Sequence, residues 1–142
     1  MKKMTDAALT APFIERAYKD TYELLVAVRD YISGPMQEDV KNLENDDHLQ
    51  LTYTLSRLTR QLTDVMAWLM LQKAVAAGEL SQEEAAAEPA AALESLKDIQ
   101  DEMDNAALSR LPLAVRGMID RTRRITALVG QLNVGQLNDG PE

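Results

Sequence analysis

The chain has no cysteine, one histidine, one Phe, one Trp and four Tyr among 142 residues. Without cysteine it can form neither disulfides nor thiolate metal sites, which fits a reducing compartment. With so few aromatics the core has to be aliphatic. Long apolar runs are also missing. The longest, Val65 to Leu71, has seven residues, far short of the ~20 that a membrane helix needs. The six glycines are scattered and form no phosphate-cradling loop. Met1-Lys2-Lys3-Met4-Thr5-Asp6 is basic but leads into no apolar signal core. These absences lead us to expect one soluble, cytoplasmic domain over residues 1–142, large enough for a real core.

What is present is helical. No alternating strand pattern, hairpin signal or internal repeat is visible. The first helix is expected to start near Thr10, with Pro12 in its first turn. Its stripe is Ile14, Tyr18, Thr21, Leu25, Val28 and Ile32, widened by Phe13, Leu24 and Tyr31. Ser33-Gly34-Pro35 should end it with a left-handed glycine cap. Met36 to Asn45 is polar and at best weakly helical.

The second helix should start at Asn45-Asp46-Asp47, where acidic side chains suit free N–H groups and the positive end of the dipole. Leu51, Leu55, Leu58, Leu62, Val65 and Leu69 then recur at spacings of 4 and 3 in alternation, a seam of period 3.5. No Gly or Pro interrupts Asp46 to Ala77, and Gly78 should cap the end. Ser81-Gln82-Glu83-Glu84 reads as a capping box. Beyond it lies an acidic, alanine-rich connector over residues 79–110. Leu93, Leu96, Ile99 or Gln100, and Met103 give it only a thin apolar stripe. The last helix should open at Leu111-Pro112 and carry Val115, Met118, Ile119, Thr122, Ile125, Val129 and Leu132. Residues 1–9 and 133–142 are expected to be loose. The sum is an all-α, up-down three-helix bundle with a long central helix and a partly helical connector, its third helix running up again.

One stretch stands out. From Val65 to Leu71, around the sole Trp68, the helix is apolar on every side, whereas a bundle helix needs one apolar stripe. Leu62 and Leu69 take the seam. Met66, Trp68, Met70 and Leu71 then cannot all point inward together. Either the connector or a second copy must cover them, and Leu62, Met66, Trp68, Leu69 and Met70 are assigned to core or dimer contacts.

Charge is uneven. Residues 79–107 carry nine acids and one base, whereas residues 109–134 carry Arg110, Arg116, Arg121, Arg123 and Arg124 against Asp120. The two could simply screen each other, or either could be a docking surface. Arg116, Arg121, Arg123 and Arg124 are the candidate partner-binding residues. A nucleic-acid-associated regulator using this Arg-rich helix is an alternative, weighed down by the net charge of −8. So is a metal- or ligand-binding bundle. Yet His48 has Glu44 four residues before it and Leu51 three after it, not the Glu-x-x-His spacing of a bundle metal site. No catalytic residue, cofactor or metal is assigned.

Val65-Met66-Ala67-Trp68-Leu69 followed by Gln72-Lys73-Ala74-Val75-Ala76-Ala77-Gly78-Glu79-Leu80-Ser81 resembles the signature of the RcdA family, regulators of CtrA degradation in alphaproteobacteria. Arg57-Leu58-Thr59 and Leu62 extend the match upstream. Leu24-Leu25-Val26-Ala27-Val28-Arg29-Asp30-Tyr31 is similar to the family's first-helix end. Leu111-Pro112, Arg116 and Asp120-Arg121-Thr122-Arg123 through Val129 and Leu132 are similar to its last helix. Thr126, Leu128 and Gln131 stand where the family often has Tyr and Arg. The resemblance implies a dimeric three-helix bundle and a non-enzymatic adaptor. It implies partners too: ClpX of the ClpXP protease with a CpdR-like response regulator, a PopA-like cyclic-di-GMP effector, and CtrA-like substrates. Recruitment to a cell pole belongs to the same implication.

Overall fold

The computed structural model describes residues 6–93 and 105–138, with side chains described for 10–93 and 105–133. Three long helices carry the fold: α1 (Asp6–Ser33), α3 (Asn45–Ala76) and α6 (Leu113–Asn138). Between them lie α2 (Pro35–Val40), α4 (Gln82–Ala86), a 3₁₀ turn (Pro89–Ala92) and α5 (Asn105–Ser109). There is no strand among the described residues, and the all-α bundle read from the sequence stands.

α3 is the spine. Its 32 residues make a rod of about 48 Å at 1.5 Å per residue. All six seam residues, Leu51, Leu55, Leu58, Leu62, Val65 and Leu69, are buried. α1 packs mainly on α3 and secondarily on α6. From α6 the core receives Val115, Met118, Ile119, Ile125 and Val129. Three core positions are threonines. Each returns its hydroxyl to the preceding turn: Thr21 donates to the Ala17 carbonyl at 2.7 Å, Thr54 to Gln50 at 2.7 Å and Thr122 to Met118 at 2.8 Å. No buried hydroxyl donor is left unmet there, which is what allows threonine in an aliphatic interior.

The caps of the spine follow its sequence at one end only. Gly78 has φ +78°. Its N–H donates to the Val75 carbonyl at 3.0 Å, and Glu79 N–H to Ala74 at 2.9 Å. That pair is the Schellman arrangement, which needs a left-handed residue at the glycine. Ser81 and Glu84 then form the expected reciprocal box: Glu84 N–H donates to Ser81 Oγ at 3.0 Å and Ser81 N–H to Glu84 Oε1 at 3.1 Å. At the other end Glu44 is the cap residue and makes no side-chain cap.

Several boundaries differ from expectation. α1 starts at Asp6 instead of Thr10. Pro12 therefore falls in its second turn, where it leaves one helical hydrogen bond unmade. Gly34 is not left-handed (φ −142°), and Pro35 immediately opens α2. Proline suits that first helical position because no N–H is needed there. The α1 stripe is rotated from the one read off the sequence. Ala17, Leu24 and Tyr31 are buried, whereas Phe13 and Ile32 are exposed. The helical backbone of α6 continues through Asn138, past the Asn133 boundary. Leu96, Ile99, Gln100, Met103, residues 1–5 and residues 139–142 lie outside the described residues.

The last helix also runs in a direction the sequence did not give. Arg110, just before α6, reaches Asp47 in the first turn of α3. α6 thus begins at the end of the bundle where α3 begins, and it runs alongside α3 in the same sense. The upward return expected of the third helix is therefore not made by α6.

Candidate interaction surfaces

Trp68, the centre of the all-apolar stretch, is only 1% exposed within one chain. Its cover therefore comes from within one chain. α4 and the 3₁₀ turn pack on α3. Ala85 and Leu93 are buried there, and Leu93 joins the same core cluster as Trp68. Leu93 adopts φ +50°, the left-handed region, which costs a non-glycine residue about 1 kcal/mol. Burying a leucine side chain returns roughly 1.5–3 kcal/mol, so the strained turn is held by the side chain it inserts. Leu62 and Leu69 are buried in the seam, Met66 is half-buried and Met70 is 56% exposed.

Met70 lies on the open edge between α1 and α3. That edge is marked by Lys73, whose Nζ sits 4.0 Å from the centre of the Tyr18 ring and 3.4 Å from the Glu15 carboxylate. Met66 and Met70 precede Lys73 by seven and three positions, and Tyr22 follows Tyr18 by four. Helical spacing puts all of them on this edge. Tyr22 is exposed as well. Beside Lys73 a cleft of about 290 Å³ brings Thr10, Ala11 and Ile14 of α1 against Gln72, Val75 and Ala76 of α3. Sequence reading missed this cleft because it depends on where the start of α1 meets the end of α3.

The four candidate arginines do not form one stripe. Arg116, Asp120 and Arg123, spaced by four and three, fall along one side of the exposed face of α6. Arg121 and Arg124, three apart, lie together towards the other side. Arg116 Nε donates to the Leu111 carbonyl at 3.1 Å, bracing the turn into α6. Arg123 is half-buried, and its Nε is enclosed with no hydrogen-bond partner. Arg121 and Arg124 are exposed. Among the described residues no arginine of α6 pairs with a connector carboxylate.

At the far end Tyr31 donates its hydroxyl to Asp39 Oδ2 at 2.7 Å, tying α1 to α2. Burial first, and then the bond to and charge of Asp39, push the Tyr31 phenol well above its ordinary value. His48 is exposed at the start of α3. Among the described residues no three His, Asp or Glu side chains are grouped as a metal site would require. No described helix is long and apolar enough to cross a membrane.

Three comparisons bear on this geometry. The family described as "Protein of unknown function (DUF1465)" matches residues 5–139. The crystal structure of RcdA from Caulobacter crescentus CB15 superposes with a TM-score of 0.63, at 24% identity, covering 84% of this chain and 87% of that one. At that identity the likeness speaks for the fold, and it bears out the resemblance drawn from the Trp68 block. No protein with a curated description matches. The chain therefore belongs to the DUF1465 family and has the helical fold of RcdA.

Proposed function

We propose that the protein is a non-enzymatic adaptor in regulated proteolysis, linking ClpXP and its response-regulator primer to cell-cycle regulator substrates. The observation that carries this reading is the RcdA fold over most of the chain, together with the Trp68 signature block. A tether needs no chemistry. It raises the effective concentration of a substrate at the protease. The surfaces fit that economy: exposed Arg121 and Arg124 of α6 on one side, the carboxylates of Glu79, Glu83 and Glu88 on another, and exposed Met70 with Tyr22 on a third. We assign Met70, Met66 and Tyr22 to a homodimer contact, and the arginines with the connector to partners. A cytoplasmic adaptor drawn to a cell pole by its partners completes the proposal.

Degradation of a labelled CtrA-like substrate by purified ClpXP with a CpdR-like primer tests it. A tether speeds degradation at low concentration and slows it in excess, as primed protease and substrate become occupied by separate adaptors. A flat response at all concentrations, with no co-elution with ClpX and its primer, would sink the proposal. The nucleic-acid alternative gains nothing from the geometry, because Arg110 is engaged by Asp47 and Arg116 by a backbone carbonyl.

A further inference from the structure

Two surfaces of opposite sign stand uncompensated on this chain. On the outward face of α6, Arg121 and Arg124 are exposed and lie together one helical turn apart. Neither makes a side-chain hydrogen bond or an ion pair among the described residues. The segment that follows α3 is the opposite case. From Glu79 to Leu93 it holds four carboxylates and no base. Glu84 is held in the capping box with Ser81. Glu79, Glu83 and Glu88 are exposed and, among the described residues, as unpaired as the two arginines.

Geometry explains why these charges do not meet within one chain. Arg110, just before α6, touches Asp47 near the start of α3, and the two helices run in the same sense from there. At 1.5 Å per residue, Arg121 and Arg124 stand about 17–21 Å beyond that contact, and Ala76, the last residue of α3, about 43 Å beyond it. Glu79 follows directly after Gly78, with its N–H held by the Ala74 carbonyl at 2.9 Å. It is therefore offset from the arginines by roughly 20 Å along the bundle. That exceeds a side-chain contact and also the screening length of about 8–10 Å at ordinary ionic strength.

An offset of this kind is closed by a second copy. A two-fold axis perpendicular to the bundle, at the level midway between the surfaces, exchanges their heights and makes each contact twice. A foreign acidic protein on α6 would leave the carboxylates unmatched, and a nucleic acid would be repelled by them. A second copy neutralises both surfaces together. We propose that the Arg121–Arg124 face of α6 docks the Glu79–Glu88 segment of a second copy, and the reverse, in a contact separate from the Met70 edge. Charged side chains exposed on both sides make it weak and readily exchanged. Its regulatory meaning rests on the adaptor reading above: if these surfaces serve partners, self-pairing withholds both until a partner competes for them.

Sedimentation equilibrium of the full chain carrying Met70→Glu, which removes the edge contact, tests the pairing. Two charge-reversed chains are made in that background: Arg121→Glu with Arg124→Glu, and Glu79→Lys with Glu83→Lys and Glu88→Lys. All five positions are exposed, so the helical content should be kept, which far-UV dichroism checks. The unreversed chain should associate at low salt and return to monomer at high salt. Each reversed chain alone should associate at least about tenfold more weakly, because like charges then face each other. An equimolar mixture of the two should regain the association, since every contact between unlike chains again joins opposite charges. A monomeric unreversed chain at low salt, association indifferent to the reversals, or a mixture that stays monomeric would each overturn the proposal. No protease or substrate enters the measurement, so its failure is distinct from failure of the adaptor assay.

Discussion

Arg110 Nε donates to Asp47 Oδ1 at 3.1 Å, joining residues 63 positions apart. The contact marks the point where α6 comes alongside the start of α3. It also occupies a carboxylate that would otherwise complement the dipole of α3. Arg110 is more than half exposed and Asp47 a quarter exposed, so solvent screens the pair. We expect Arg110→Ala to cost less than about 1 kcal/mol, with the urea midpoint falling slightly and the slope unchanged. A loss of several kcal/mol would mean the pair fixes the direction of α6 instead of reporting it.

Leu93 is expected to matter far more. Leu93→Ala removes a buried side chain, at roughly 2–5 kcal/mol, beside the 3₁₀ turn that packs on α3, the helix of Trp68. Because Trp68 is the only tryptophan and is 1% exposed, its emission tests whether the connector takes part in its burial. The variant should emit at longer wavelength under native conditions, before global unfolding. Unchanged emission with lowered stability would show that Trp68 is shielded by the long helices alone.

Three glycines separate backbone from packing. An added Cβ meets nothing within 4 Å at Gly78, Gly117 or Gly130, but only Gly78 has a positive φ. Gly78→Ala should therefore destabilise by about 1 kcal/mol. Gly117→Ala and Gly130→Ala, inside α6, should each stabilise by roughly 0.4–1 kcal/mol. Thermal denaturation of the three variants gives the signs. The same sign at all three would contradict the Schellman assignment.

Tyr31 gives the fold a dependence on alkaline pH. Its folded-state pKa is raised, chiefly by burial and further by Asp39. That contribution is complete below the unfolded value of about 10. It is lost as pH rises through that value towards the folded one, because only the unfolded phenol then ionises. Tyr31→Phe should flatten this part of the profile while costing about 1 kcal/mol near neutrality for the lost hydrogen bond. Urea midpoints from neutral to strongly alkaline pH, for both chains, decide it.

The homodimer assignment rests on the open α1–α3 edge. Met70→Glu should turn a dimer into a monomer in light scattering, with the helical content kept because Met70 is exposed. A wild-type monomer would remove the assignment, as would a dimer indifferent to charge at positions 66 and 70.

What the sequence made legible was local. The seam from Leu51 to Leu69, the Gly78 cap and the Ser81 box all appear where spacing put them, because each depends on residues within a turn or two. The stripe of α1 came out rotated because Ala17 contributes little hydrophobicity yet is fully buried. The direction of α6 was illegible, since nothing local encodes that Arg110 will find Asp47. Trp68 shows both sides: its need for cover was readable, but the cover could have come from a partner or from the connector. The cleft beside Lys73 was not foreseen at all, because it forms where the start of α1 meets the end of α3.

The parallel course of α3 and α6 has a consequence for the order of folding. Between α1 and α3 only residues 34–44 intervene, and the α2 turn closes them into an antiparallel pair. Docking α6 requires closing the longer segment 77–112, at a greater entropic cost. We expect the α1–α3 hairpin to form in the rate-limiting step and α6 to dock after it. Core truncations such as Val28→Ala or Leu58→Ala should then slow refolding. Val115→Ala and Val129→Ala should mainly hasten unfolding, leaving the refolding arm of the chevron where it was.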